Sequence, residues 1–327
     1  RINSRTPVLV NALLESGDKT ANITRVITSI SDALCIRVLE LAIGKNGTPP
    51  CKFAFVALGS EGRREQTLST DQDNAIVFED LSGKELEDAY LYFGRLATEV
   101  NTNLNHIGFR FCEGGIMAMN SKWTQPLGIW KEYFSSWINS SDPQSILDSS
   151  IFFDLRCLYG DVSITDELRE HIHRQSENQA AFFQHMANPI IRFKSRLSMF
   201  GGIVGDQESG ESKEINIKKI QLPVISLARL YALKHKLVET NTLKRLARLH
   251  ALGVVNTEFH NELTVSYSVL MQLRLRFQAQ AELNNQTPDN MVDINQLTAI
   301  ELSTLKKVLS EITHLQTQVS FDFKGGV

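Results

Sequence analysis

Two acids two residues apart, Asp71 and Asp73, stand twelve residues beyond the pair Gly59-Ser60. The apolar run Phe53 to Leu58 ends at that pair, and a second apolar run, Ala75 to Phe78, follows the acids. The order predicts a strand, a glycine turn, a short helical or loop segment, and a second strand. Alternate side chains of an extended segment share one face, so Asp71 and Asp73 aim two carboxylates at one point from backbone positions about 6 to 7 Å apart. Two hard oxygen ligands on a rigid edge suit Mg²⁺, which uses one or two carboxylates together with substrate phosphates. Glycine at 59 lets a phosphate approach the backbone closely, and the Ser60 hydroxyl and neighbouring N–H groups can donate to it. In outline these residues describe a site for a nucleoside triphosphate.

The fuller string from Gly59 to Ala75 reads Gly-Ser-Glu-Gly-Arg-Arg-Glu-Gln-Thr-Leu-Ser-Thr-Asp-Gln-Asp-Asn-Ala. It resembles one bacterial branch of the DNA polymerase β-type nucleotidyltransferase superfamily, related to the enzymes that modify glutamine synthetase and PII proteins. The resemblance continues through Cys112 to Asn120, through Phe152 to Arg156 with Gly160-Asp161, and through Ile215 to Lys218, Asn241 to Arg245 and Leu273 to Gln278. It implies an α/β (α+β) polymerase-β-like catalytic domain and transfer of a nucleoside monophosphate from an NTP, with a protein hydroxyl as acceptor. Gly59 and Ser60 would cradle the triphosphate, and Asp71 and Asp73 would hold Mg²⁺. Arg63 would offset charge on the leaving pyrophosphate, or simply start a charged helix. Glu65 would anchor the motif loop or orient Arg63. The superfamily also uses a third acid on the metals. Asp154 is the first candidate and Glu113 the second, while Asp154 could instead make structural contacts from a helix. Lys218 would reach the phosphates, or stand as a solvated lysine on a helix flank. Such proteins are usually joined to cystathionine-β-synthase-type or cyclic-nucleotide-binding-type regulatory domains, and a chain that begins at Arg1 is expected to have them upstream. No His-Asp doublet occurs, so the phosphohydrolase module of the uridylyl-transferring relatives is absent.

The elements that must position these residues follow from length and periodicity. The chain has 327 residues, 42% of them hydrophobic, ample for two domains. Helical spacing over 6–43 predicts one or two helices before the sheet, and a helix follows over about Ser82 to Asn105. His106 to Cys112 reads as a third strand and Ser145 to Tyr159 as helix. Beyond Thr165 the helical period dominates, over 166–200, 222–238, 241–252, 257–283 and 298–320. The expected division is therefore a catalytic domain over 1–164 and an all-α helical bundle over 165–327, with a polar, mobile loop from Gly205 to Ser212. A net charge of −3 and the scarcity of aromatics among Lys234, Lys236, Lys244, Arg245 and Arg248 argue against a nucleic-acid partner. No apolar run reaches the roughly 18 residues of a membrane span. Four cysteines without a Cys-x-x-Cys pair suit a reduced cytoplasm. The rival to an enzyme is a non-catalytic nucleotide sensor, and the discriminator is a third acid beside the Asp pair.

Overall fold

The computed structural model describes residues 5–195, 197, 202–209 and 212–324. Two compact units divide the chain, one built on Thr24–Gln179 and the other joining Thr6–Ile23 to the chain from Ala180 onward. Helix α1 (Thr6–Glu15) belongs to the second unit, and α2 (Thr20–Asn46) crosses the division. In the first unit follow β1 (Phe53–Ala57), the single turn α3 (Gly59–Gly62), β2 (Asn74–Phe78), α4 (Gly83–His106), β3 (Thr124–Pro126), α5 (Leu127–Ile138), α6 (Pro143–Ser149), β4 (Arg156–Gly160) and α7 (Val162–Ser176).

The sheet runs β3-β2-β1-β4. β1 and β2 are antiparallel, with Phe53 opposite Phe78 and Ala57 opposite Asn74, so the strand end that leads into Gly59 lies beside the strand start that follows Asp73. Every residue of both strands is buried, which is why they read as continuous apolar runs without alternation. On one face Phe53, Phe55, Ile76 and Phe78 pack against Phe93, Leu96 and Val100, which recur at helical spacing on α4. The rings of Phe78 and Phe93 stack with centroids 4.9 Å apart. Burying each such side chain contributes about 1.5 to 3 kcal/mol, enough to make this layer the rigid floor of the motif.

Two predicted elements differ. The stretch 106–112 supplies only a single bridge, Arg110 to Asp71, because the left-handed glycines Gly108 and Gly115 turn the chain on either side of it. The third strand is instead β3, parallel to β2 with Thr124 opposite Ile76. Ser145 to Tyr159 splits into α6, a 3₁₀ turn over Ser150–Asp154 and the edge strand β4. Phe152 in that turn packs on Trp123 and Trp137, while Arg156 pairs with Ala57 of β1. These are long-range contacts that override the local helical pattern.

The second unit adds α8 (Ala180–Ile191), β5 (Gln207–Ser209), β6 (Ser212–Asn216), α9 (Ile217–Lys234), α10 (Thr242–Ala251), α11 (Thr257–Leu283), β7 (Met291–Asp293) and α12 (Ala299–Lys324). It is largely helical but not all-α, since β5, β6 and β7 form a small antiparallel sheet in which Ile215 stands opposite Val292. The stretch expected as a mobile loop therefore contributes β5 and the start of β6; its residues 210 and 211 lie outside the described residues. The expected boundary at 164/165 falls inside α7, which packs on α5 and β4 of the first unit. Among the described residues no helix is long and apolar enough to cross a membrane, and all four cysteines are free thiols.

Candidate functional site

The two acids are aimed by the residue between them. Gln72 and Asn101 are buried and hydrogen-bonded to each other: Gln72 Nε2 donates to the backbone carbonyls of Asn101 (3.1 Å) and Phe109 (2.8 Å), and Asn101 Nδ2 donates to Gln72 Oε1 (2.7 Å) and Asn74 Oδ1 (3.0 Å). Asn74 Oδ1 also accepts from the Ala118 amide (2.9 Å), and Asn101 Oδ1 from the Met119 amide (2.9 Å). Gln72 and Asn74 are thereby held inward on one side of the strand. Alternation then leaves Asp71 and Asp73 on the other. The Leu58 amide donates to the Asp73 carbonyl (2.8 Å) and the Gln72 amide to the Arg110 carbonyl (2.9 Å), which fixes the backbone from both flanks.

On that second side, ligand atoms of Asp71, Asp73 and Cys112 all lie within 4.8 Å of one another. Asp73 is 8% exposed, while Asp71 and Cys112 are half-buried. Burial, and then the charge of Asp73, push the Cys112 thiol up to about 11. Asp154 and Glu113 are not members of this group.

Gly59 is required here by shape. It has φ +54°, and a Cβ would stand 2.9 Å from Asp73 Oδ2 and 3.0 Å from the Ile151 side chain, so any side chain would collide with both. Ser60 is half-buried beside it. The first amides of a helical turn have no acceptor within that turn, leaving donors at the foot of α3. In the following loop the Gln66 side-chain amide and the Thr67 hydroxyl are buried with no hydrogen-bond partner, and groups of that kind are usually satisfied by a ligand or ordered water. The Thr70 hydroxyl closes its own turn onto Thr67 (2.8 Å), and Ser69 accepts from the Arg110 guanidinium (2.8 Å).

Arg63, expected at the triphosphate, is buried, and its guanidinium donates to Asp154 Oδ2 (2.6 Å) and Glu65 Oε2 (2.8 Å). Asp154 is fully buried as the last residue of its 3₁₀ turn, and its carbonyl would lie 2.0 Å from a Cβ at position 62. Gly62 thus lets α3 press against that turn, and the Arg63–Asp154 pair ties the motif to β4. A buried pair of this kind is costly to break because the surviving charge is left without compensation. Lys218 is exposed in the first turn of α9, in the second unit.

Four features of the site lie outside the acids and glycine that the sequence singled out: Cys112, Glu61, Arg110 and the Gln72–Asn101 amide pair. Cys112 opens the string Cys112 to Asn120, which is the one sequence signal that pointed at it. Glu61 is buried inside α3, and burial above all pushes its carboxyl up to about 8, with Asp32 and Asp73 adding to the rise and Arg156 opposing it. Arg156 itself makes a bidentate pair with Asp32 (3.0 and 2.8 Å) and donates to the Glu61 carbonyl (3.0 Å).

Paired carboxylates at the start of an inner strand, beside a glycine turn, agree with the family to which the sequence is similar. Residues 4–144 match the sequence model of a family described as "Putative nucleotidyltransferase DUF294", and residues 180–323 match one described as "Putative nucleotidyltransferase substrate binding domain". The chain belongs to this nucleotidyltransferase family. The first match contains Gly59 to Asp73 and Cys112, and the second starts at Ala180, where the second unit resumes. No curated protein matches the chain.

Proposed function

We propose that the first unit transfers a nucleoside monophosphate from an NTP to a hydroxyl acceptor and releases pyrophosphate. The observation that carries this reading is the pairing of Asp71 with Asp73 beside Gly59, whose lack of a side chain lets the glycine turn close directly against the Asp73 carboxylate. Two carboxylates with a thiol beside them, one buried and the others half-buried, and all close together, fit a divalent cation, with Asp71 and Asp73 as its ligands. When bound, Mg²⁺ or a similar ion neutralises phosphate charge and polarises the phosphoryl group.

The chain's own residues do the rest. Ser60 and the leading amides of α3 donate to phosphate oxygens, and the Gln72–Asn101 pair keeps both acids from swinging away. The acceptor oxygen forms a bond to the α-phosphorus while the bond from that phosphorus to the bridging oxygen breaks. The acceptor proton passes to solvent, and the electron pair leaves with pyrophosphate. Arg110, bridged to Asp71 through its backbone, is the cation at this edge of the site; Arg63 supports the motif through Asp154 and Glu65. A protein hydroxyl is the acceptor we favour, from the resemblance to enzymes that modify proteins, and upstream regulatory domains would then control the transfer.

A second reading, nucleotide binding without transfer, draws on the exclusion of Asp154 and Glu113 from the carboxylate group. The experiment that separates the two incubates the chain and a cell lysate with NTPs labelled in the α-phosphate and with Mg²⁺ or Mn²⁺, and follows label on protein together with pyrophosphate release. Both appearing together support the transferase. Saturable NTP binding with neither product supports the sensor, and equal NTP binding with and without EDTA overturns the metal site under both readings.

A further inference from the structure

The superfamily resemblance asks for a third acid at the Asp pair, and the structure puts a sulfur there. Ligand atoms of Asp71, Asp73 and Cys112 lie mutually within 4.8 Å. Oxygen and sulfur ligands about 2.0 to 2.3 Å from one ion stand about 3 to 4 Å from each other, so the three need only a small closing movement to share a cation. Neither acid that the resemblance offered competes for the place. Asp154 is engaged by Arg63 at 2.6 Å, and Glu113 is exposed.

Cys112 is also fixed in place. Its amide donates to Met117 Sδ (3.4 Å), and its carbonyl accepts from Gly115 (3.0 Å), closing a turn that needs the left-handed glycine at 115. Its sulfur lies within 4.8 Å of a carboxylate oxygen of Asp71 and of Asp73, so sulfur and carboxylates face the same space.

We propose that Cys112 is the third ligand of this cation site, binding as a thiolate, and that the site therefore selects softer divalent ions such as Mn²⁺, Co²⁺ or Zn²⁺ over Mg²⁺. The proposal rests on the reading of Asp71 and Asp73 as a metal pair. A donor set of two carboxylates and one thiolate favours ions that accept sulfur, whereas Mg²⁺ takes oxygen almost exclusively. On binding, the metal–sulfur bond forms, the S–H bond breaks, and the proton leaves to solvent. No electron is transferred.

The test uses the full chain, stripped of metal with EDTA, dialysed free of it and handled without oxygen. Titration with Co²⁺ is followed by the near-ultraviolet thiolate-to-cobalt charge-transfer band, and calorimetry gives the affinities for Mn²⁺ and Mg²⁺. The wild type should show the band, and Cys112→Ser should lose it together with about tenfold or more of the Mn²⁺ affinity. Cys112→Asp should lose the band but gain Mg²⁺ affinity, because it installs the missing carboxylate and shows that the position itself faces the ion. A band that persists in Cys112→Ser, or Mn²⁺ and Mg²⁺ affinities that neither variant changes, would overturn the thiolate ligand while leaving the Asp pair standing. Failure of the wild type to bind any of the ions would overturn both.

Discussion

Among the described residues, two groups of side chains bring possible metal-ligating atoms equally close, and they differ in what stands behind them. Asp71, Asp73 and Cys112 in the first unit, and Glu262, Glu311 and His314 in the second, each place three such atoms within 4.8 Å of one another. Around the first group, Gln72, Asn74 and Asn101 are buried and hydrogen-bonded to each other and to backbone, and glycine at 59 packs closely against Asp73. The second group stands on the helices α11 and α12. His314 is 61% exposed there, and its Nδ1 lies 3.5 Å from Glu262 Oε2. An exposed side chain such as His314 retains rotamer freedom that a ligand must freeze, at a cost of about 1 kcal/mol, while Glu262 and Glu311 are half-buried. Proximity alone therefore separates nothing; the shell behind the ligands does.

Asp73→Asn carries the largest expected effect. Metal-dependent transfer should fall by about two orders of magnitude or more, since a lost metal-held contact costs several kcal/mol. The melting temperature of the metal-free protein should stay level or rise, because Asp73 raises the proton affinity of nearby Glu61 by charge repulsion. A large fall in melting temperature would make Asp73 a structural residue.

Asp154→Ala should act on stability. Removing the partner of buried Arg63 should cost about 3 to 5 kcal/mol in urea unfolding with EDTA present. A loss below about 1 kcal/mol, with transfer abolished, would return Asp154 to the role of metal ligand.

Glu61→Gln tests the polarity beneath the acids in metal-free protein. Its folded value of about 8 stands above the ordinary 4.5, so the folded chain holds a proton through that window. The stability this contributes is complete below about pH 4.5 and is lost as pH rises through about 8. Glutamine stays neutral throughout. Variant and wild type should therefore be close near pH 5, and the variant should be more stable at pH 9 by a few kcal/mol. Parallel stability curves would show that Glu61 is not held protonated.

Asn101→Ala should cost about 2 to 3 kcal/mol, because it strips partners from Gln72, Asn74 and the Met119 amide. It should also weaken cation affinity without touching a ligand, which calorimetry reads directly; unchanged affinity would show that the amide pair does not support the acids. Smallest of all is His314→Gln, expected within about 0.5 kcal/mol and without effect on NTP binding. A larger effect on either would show that the surface group is held as firmly as the buried one.

How far these results could be anticipated differs from residue to residue. β1 and β2 were legible because their residues are buried on both faces, and α11 because its helical period runs unbroken over 257–283. The pairing of Asp71 with Asp73 was legible too, since alternation in an extended segment is a property of the backbone. Five strands, β3 to β7, were not, because each is short, and most are defined by partners elsewhere in the chain: Thr124 against Ile76, Arg156 against Ala57, Ile215 against Val292. The same holds for side chains. Arg63 and Asp154 are 91 residues apart, and nothing local says that their charges meet. Local pattern fixes which way a side chain points from its own element. Which charge neutralises it, and whether a thiol or a carboxylate stands beside it, depends on what the fold packs there, because ion pairing and desolvation act across space and carry no signature in sequence spacing.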